Sequence, residues 1–253
     1  MGSSIELKTR DELALMRDAG RIVYEILTAL REAVQPGMTT MEFDRLAEDL
    51  IYKKGAKPAF KGYLGFPCCL CASVNEEIVH GIPSKKRKLQ EGDLFKLDFG
   101  VVYKGYYGDS AVTVPVGKVS DEAAKLVEVT RESLYKAIEQ MVPGNRVSDI
   151  GAAVQGHAEA NGFSVVREFV GHGIGRSLHE PPQVPNFKSK EGPDPRLKVG
   201  MVLAVEPMVN AGTPDTELLA DRWTAVTADR KLSAHFEHTI AITEAGPEIL
   251  TAA

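Results

Sequence analysis

The stretch Asp93–Val116, DLFKLDFGVVYKGYYGDSAVTVPV, decides the fold. Leu94, Phe95 and Leu97 mark one strand and Val112, Thr113 and Val114 another, with Gly100, Gly105 and Gly108 between them predicting a glycine-rich turn. Each strand carries an acid. Asp98 sits among Leu97, Phe99 and Val101, and Asp109 precedes the run Ala111 to Val114, so both are set for burial. A buried carboxylate without a partner is costly or takes up a proton, so two on one hairpin ask for a shared cation. Lys104 falls at the turn, where solvation is the cheaper fate. The alternative for this stretch alone is a pair of turn aspartates capping loop amides.

Outward from the hairpin, the flanks have helical periodicity. Thr9-Arg10-Asp11-Glu12 is a capping box, followed at helical spacing by Leu15, Ala19, Ile22, Ile26, Leu30 and Ala33 until Pro36-Gly37. Thr39 to Glu42 is a second box, with Phe43, Leu46, Ala47, Leu50 and Ile51 on one face and Gly55 closing the helix. Cys71 to Val79 has strand character and ends in His80-Gly81-Ile82-Pro83. The short basic run Lys85-Lys86-Arg87-Lys88 fits a solvated loop or a docking patch for an anionic partner.

After the hairpin the pattern starts again. Ser120-Asp121-Glu122 opens a helix ended by Pro143-Gly144, and Val147-Ser148-Asp149 opens another before Gly162. A strand-like Phe163 to Val170 then leads into Gly171-His172-Gly173-Ile174-Gly175. Pro36-Gly37 and Pro143-Gly144 are 107 residues apart, as are Gly55 and Gly162. His80-Gly81-Ile82 recurs as His172-Gly173-Ile174. Gly92, six residues before Asp98, recurs as Gly200, six before Glu206, and Asp109 to Val114 is echoed by Glu237 to Ile242. The shared order predicts an internal duplication, halves about 10–117 and 118–250, within a single catalytic domain spanning 1–253.

Composition bounds the function. With 43% hydrophobic residues and a net charge of -5, the chain is an ordinary globular protein without a general nucleic-acid surface, so no specific DNA partner is expected. Cys68, Cys69 and Cys71 lie too close together for a disulfide framework and lack a second cluster for a zinc site, which points to reduced thiols and a cytoplasmic location. No apolar run is long enough to span a bilayer, and the N-terminus lacks a secretory pattern. Met1-Gly2 begins like a myristoylation signal, but Glu6 stands where Ser or Thr is required.

A pseudo-two-fold axis would bring Asp98, Asp109, Glu206 and Glu237 together, with His172 beside them. Four negative charges balance two divalent cations. A donor set of oxygens with one imidazole suits Mn, Fe, Co or Zn. Two such ions would generate a hydroxide and polarise a carbonyl, which suits hydrolysis of an unreactive bond. Of the other histidines, His157 belongs to a helix and His238 alternates to the face opposite Glu237, whereas His235 shares that face and could back the site. His80 and His179 are free to handle protons or steady an oxyanion. Gly171 to Gly175 is not a dinucleotide fingerprint, because Arg176 stands where its last glycine should be, and His179-Glu180 lacks a second His at Gln183 for a helical zinc site.

From about Ile5 to Thr251 the chain resembles the type I methionine aminopeptidases of the bacterial, extension-free kind. The resemblance is carried by Val74-Asn75-Glu76, Val79-His80-Gly81-Ile82-Pro83, Asp98-Phe99-Gly100, Gly108-Asp109-Ser110, Gly171 to Arg176, His179-Glu180-Pro181, Glu206-Pro207 and Phe236 to Thr239. It implies the α/β (α+β) pita-bread fold, two pseudo-symmetric halves with a central antiparallel sheet and outer helices. It also implies Asp98, Asp109, His172, Glu206 and Glu237 as ligands of two divalent ions, Glu206 as proton shuttle, His179 as stabiliser of the tetrahedral intermediate and His80 as partner of the scissile amide nitrogen. Tyr63, Phe66, Cys71 and Trp223 match the apolar pocket for a methionine side chain, with His80 and His179 also touching substrate. The implied activity is removal of initiator methionine from nascent chains with a small second residue; a monomer is expected, and the basic run Lys85 to Lys88 is expected to help dock it near the ribosomal exit. Met1-Gly2 would itself qualify as such a substrate.

The chain departs from the pattern at Phe60, where some relatives carry cysteine, at Leu178, where an aromatic is frequent, and at His235, where glutamine is expected. The rivals are a proline-specific peptidase of the same fold, which would ordinarily carry a large extra N-terminal domain, and a non-catalytic peptide-binding module, which would have lost metal ligands.

Overall fold

All four helices begin where side chains take up free amides. In the computed structural model, which describes residues 4–189 and 192–253, α1 covers Arg10–Glu32, α2 Thr40–Lys53, α3 Asp121–Glu139 and α4 Val147–Ala160. Met1-Gly2 lies outside the described residues. Both capping boxes form: the Thr9 N–H donates to the Glu12 carboxylate at 2.8 Å and the Thr39 N–H to Glu42 at 2.7 Å. The Ser120 hydroxyl accepts from the Ala123 N–H at the start of α3. At α4 the cap is Arg146, whose N–H donates to Asp149 at 2.8 Å, while Asp194 takes the Ser148 N–H.

The quoted hairpin forms two ten-residue strands, Leu94–Tyr103 and Tyr106–Pro115, in unbroken antiparallel register from Leu94 opposite Pro115 to Tyr103 opposite Tyr106. Its turn is only Lys104-Gly105, both at positive φ, as a tight two-residue hairpin requires. Gly100 and Gly108, expected in the turn, are instead inside the strands, where backbones meet closely. A Cβ on Gly108 would come within 3.1 Å of the α1 backbone at Ala19 and Gly20, and one on Gly100 within 2.9 Å of the Gly108 carbonyl oxygen.

Lys57–Pro58 and Cys71–Val74 pair with the first hairpin strand to complete a four-stranded sheet. A second, five-stranded sheet runs in the order Gly246–Ile249, His238–Thr243, Val202–Val205, Gly171–Gly173, Glu180–Val184, again antiparallel throughout. The two sheets meet at a bridge between Ala111 and Glu237, where the Glu237 N–H donates to the Ala111 carbonyl at 2.9 Å. Around it, Asp109 and Thr239 exchange two hydrogen bonds, as do Thr113 and His235. One apolar core lies between α1, α2 and the hairpin sheet, and a second between α3, α4 and the five-stranded sheet.

Two expected strands are shorter than their sequence suggests. Cys71 to Val79 breaks into Cys71–Val74 and Glu77–Val79 because Asn75 takes φ 57, a left-handed conformation Asn tolerates. Phe163 to Val170 keeps only Ser164–Val165, paired with Val209 and Asn210. The echo of His80 in His172 is one of sequence only. Ala204 and Lys96 each lie two residues before an acid; His172 pairs with Ala204, whereas the residue opposite Lys96 is Ser73. His80 lies beyond the end of that sheet, at φ 60.

Candidate active site

The site begins with strand geometry. Asp98 lies in the middle of the first hairpin strand opposite Cys71, and Asp109 lies on its partner strand opposite Gly100. Glu206 follows the strand Val202–Val205 directly, and Glu237 sits at the bridge between the sheets. His172 is the central residue of Gly171–Gly173. All five line one cavity of about 160 Å³, and His80, His179, Tyr63, Phe66, Cys71 and Trp223 line it too. The four acids and His172, separated by up to 139 positions from Asp98 to Glu237, are thus brought to one place.

Asp109, His172 and Glu237 offer donor atoms within 4.8 Å of one another, and His172 Nε2 lies 3.7 Å from Glu206 Oε1. Asp98 Oδ1, Asp109 Oδ1 and Glu237 Oε1 are buried without a hydrogen-bond partner. Burial pushes the Asp109 carboxyl up to about 7. It also holds Asp98, Glu206 and Glu237 well above the usual carboxylate range, with the other acids of the group adding to the shift. Orphaned oxygens and mutually repelling acids are what a cation would relieve, so the donor set fits divalent metal.

The imidazoles are kept neutral. Burial, then the neighbouring His179, lowers His172 to about 3, and the same two causes lower His80 to about 4. His172 Nδ1 is 2.9 Å from the Gly173 carbonyl oxygen, which can only accept, so the proton sits on Nδ1 and Nε2 keeps its lone pair toward the acids. His179 stacks obliquely on His172, ring centroids 4.2 Å apart, and its Nδ1 is 2.7 Å from the Tyr63 hydroxyl. His80 packs edge-on against Phe169 and Trp223.

Phe66 and Trp223 are 5.1 Å apart edge to face, and with Tyr63 and the buried Cys71 they form an apolar wall facing the acids. Burial drives the Cys71 thiol well above its ordinary range, so it acts as a small apolar surface. Phe60 and Leu178 line the cavity as well. His235 is buried behind Glu206, its Nε2 3.9 Å from Glu206 Oε2 and neither ring nitrogen hydrogen-bonded. His238 points away, to the Thr251 hydroxyl, and His157 pairs with Glu132.

Three contributors escaped the sequence reading. Leu64 lines the cavity mouth in a left-handed conformation, φ 49, and is 81% exposed; the flanking Gly62 and Gly65 were its available signal. Phe169 supports His80 and carries no sequence signal. Lys8, almost fully buried, donates to Glu180 at 2.6 Å, and Glu180 accepts the Arg176 and Ser177 N–H groups, fixing the loop that carries His179.

Residues 14–244 match the model of metallopeptidase family M24. Methionine aminopeptidase 1 of Bacillus subtilis is 55% identical over 244 residues, covering 96% of this chain and 98% of its own. The crystal structure of methionine aminopeptidase from Thermotoga maritima superposes with a TM-score of 0.96 at 46% identity, covering 99% of this chain and all of that one. Prolidase from Pyrococcus furiosus shares the fold at a TM-score of 0.78 and 24% identity, but this chain covers only 65% of its length. Among the described residues no helix is long and apolar enough to cross a membrane. A metallopeptidase family and a cluster of buried donors together support use of a divalent metal. With near-complete coverage on both sides, the chain belongs to metallopeptidase family M24 and, within it, to the bacterial type I methionine aminopeptidases.

Proposed function

We propose that this protein removes the N-terminal methionine from nascent chains and peptides with a small second residue, using two divalent ions held by Asp98, Asp109, His172, Glu206 and Glu237. The observation that carries the reading is the juxtaposition of orphaned carboxylate oxygens and the neutral His172 with the apolar wall of Tyr63, Phe66, Cys71 and Trp223 in one cavity. Four carboxylates against two doubly charged cations leave no net charge buried, which supports two ions of the Mn, Fe, Co or Zn type over one.

When bound, the ions supply Lewis acidity and lower the pKa of water from about 15.7 to about 7. Everything else falls to the chain. The wall accepts the unbranched thioether side chain, to which a protonated, apolar thiol is well matched. Glu206 takes the proton of the attacking water and passes it to the leaving amine as the C–N bond breaks. Tyr63 fixes the His179 tautomer: its hydroxyl donates to Nδ1, leaving Nε2–H to donate to the oxygen that becomes negative in the tetrahedral intermediate. His80, neutral and held by Phe169 and Trp223, hydrogen-bonds the scissile amide nitrogen. The cavity is small and its inner acids are buried, so only the first residue of a chain enters, which supports exopeptidase action.

The protein is read as a single catalytic domain built by duplication and as a cytoplasmic monomer. Lys85, Lys86 and Lys88 are exposed beside a polar cleft that includes Arg87 and supports docking on the anionic ribosome near the exit. Charge reversal there should weaken salt-sensitive co-sedimentation with ribosomes; unchanged co-sedimentation ends that part of the reading. The activity is tested by mass-spectrometric assay of Met-Gly-x against x-Pro peptides, with and without added Mn or Co. Metal-dependent release of methionine alone is the expected result. Cleavage of x-Pro peptides, or equal rates in metal-free enzyme, would overturn it.

A further inference from the structure

Lys96 is 1% exposed, lies two residues before Asp98 and takes no part in the chemistry above. A buried amine without hydrogen-bond partners is costly, so its contacts carry information. Its Nζ donates to the Asn75 carbonyl at 2.7 Å and to the Ser233 carbonyl at 2.9 Å. Asn75 is itself a junction. It holds a left-handed conformation, its side-chain oxygen accepts the Leu94 N–H, its side-chain nitrogen donates to Asp93, and its carbonyl also accepts the Ser233 N–H at 3.1 Å. The carboxylate of Glu77, which accepts the Val74 N–H, interacts electrostatically with Lys96.

Ser233 begins the strand Ser233–His235, which leads in two residues to Glu237 and pairs with Met208–Asn210, the strand leaving Glu206. The other side of that strand is tied to the hairpin by Thr113, which exchanges hydrogen bonds with His235. A displacement of Ser233–His235 would therefore move Glu237 and Glu206 together, relative to Asp98 and Asp109.

We propose that Lys96 is a positioning residue for the carboxylate cluster: its amino group braces the strand bearing Asp98 against the segment that sets Glu237 and Glu206. The inference rests on the metallopeptidase reading above but not on the identity of the substrate. Packing alone would be satisfied by any side chain of the same shape. A brace needs the nitrogen, because only a donor can hold two carbonyls from separate segments at one point.

Three measurements on the full-length protein test this: Mn affinity by titration calorimetry, kcat and KM on a Met-Gly peptide, and thermal midpoint. Lys96→Met keeps the shape and removes the donor. It is expected to weaken Mn binding and lower kcat by about 10- to 100-fold, the range for residues that orient metal ligands, with KM changed far less. Lys96→Ala is expected to show the same loss. n-Propylammonium, which replaces Cγ to Nζ atom for atom, should restore Mn affinity in Lys96→Ala and have no effect on Lys96→Met, whose side chain fills the space. Wild-type Mn affinity and kcat in Lys96→Met, with only the thermal midpoint lowered, would overturn the proposal. If Lys96→Met does not fold, Lys96→Ala decides: recovery with the amine supports the brace, and no recovery overturns it. A wild type that bound Mn but left the Met-Gly peptide intact would sink the functional reading, while the Mn affinities would still test Lys96.

Discussion

The Tyr63 hydroxyl lies 2.7 Å from His179 Nδ1, and the ring of the same histidine lies against His172, centroid to centroid 4.2 Å. One hydrogen bond thus links the apolar wall of the cavity to the imidazoles beside the acids. Tyr63→Phe keeps the ring and frees the tautomer. Losing one hydrogen bond of about 1 kcal/mol corresponds to about a fivefold fall in kcat. Steady-state kinetics on a Met-Gly peptide should show that fall with KM nearly unchanged. A KM effect alone would mean that Tyr63 only shapes the pocket.

The four acids set the pH behaviour of metal-free protein. Their folded pKa values lie above the unfolded ones, Asp109 reaching about 7 through burial. Raised carboxylates bind more protons in the folded state, so stability is greatest below the unfolded pKa and is lost as pH rises through the folded pKa. Thermal midpoints of chelator-treated protein should therefore fall between about pH 4 and pH 7. Added Mn should reverse the fall at pH 7, because the cation replaces the protons. A midpoint that is flat in pH and indifferent to metal would contradict the shared-cation account.

Lys8 and Glu180 form a buried ion pair at the base of the loop that carries His179. Lys8→Met leaves the Glu180 carboxylate largely buried without its cation, a loss of about 3 kcal/mol when one partner of such a pair is removed. That is equivalent to a fall of about 6–12 °C in thermal midpoint for a domain this size. Differential scanning calorimetry measures the fall, and kcat should drop while Mn affinity holds, since none of the five candidate ligands lies on this loop. Unchanged kcat would show that His179 is held by Tyr63 alone.

The parts of the fold that were legible are those written in local chemistry. Thr9 with Glu12, and Thr39 with Glu42, announce their helices because both partners of each cap lie three residues apart. The hairpin was legible because a buried acid among strand residues is anomalous on its own. Gly100 and Gly108 were misplaced into the turn because their reason for being glycine is distant in sequence: α1 and the neighbouring strand leave no room for a Cβ. The four acids and the imidazole of the cluster were found through repeated order, but His80 was paired with the wrong partner, since a three-residue echo says nothing about register. Phe169, Lys8 and the Asn75 junction act only through tertiary contacts, so no window of sequence contains them.

Glu12 does more than cap α1. Its carboxylate accepts from the Thr9 N–H and hydroxyl, from the Tyr106 hydroxyl at 2.9 Å and from Arg176 at 3.1 Å, tying the first helix to the hairpin and to the glycine-rich loop after His172. These bonds, the Thr9 backbone bond foremost, lower it to about 2. A depressed carboxylate contributes stability that is fully present above the unfolded value of about 4.5 and is lost as pH falls toward 2. Glu12→Gln should cost about 1 kcal/mol as a lost cap, or about 2–4 °C at pH 7. The difference from wild type should shrink through pH 4 and be largely gone near pH 2, where the folded wild-type carboxyl is half protonated. Thermal denaturation of the two proteins across that range checks it, and a gap that persists at pH 2 would mean that the charge on Glu12 is not what holds these three elements together.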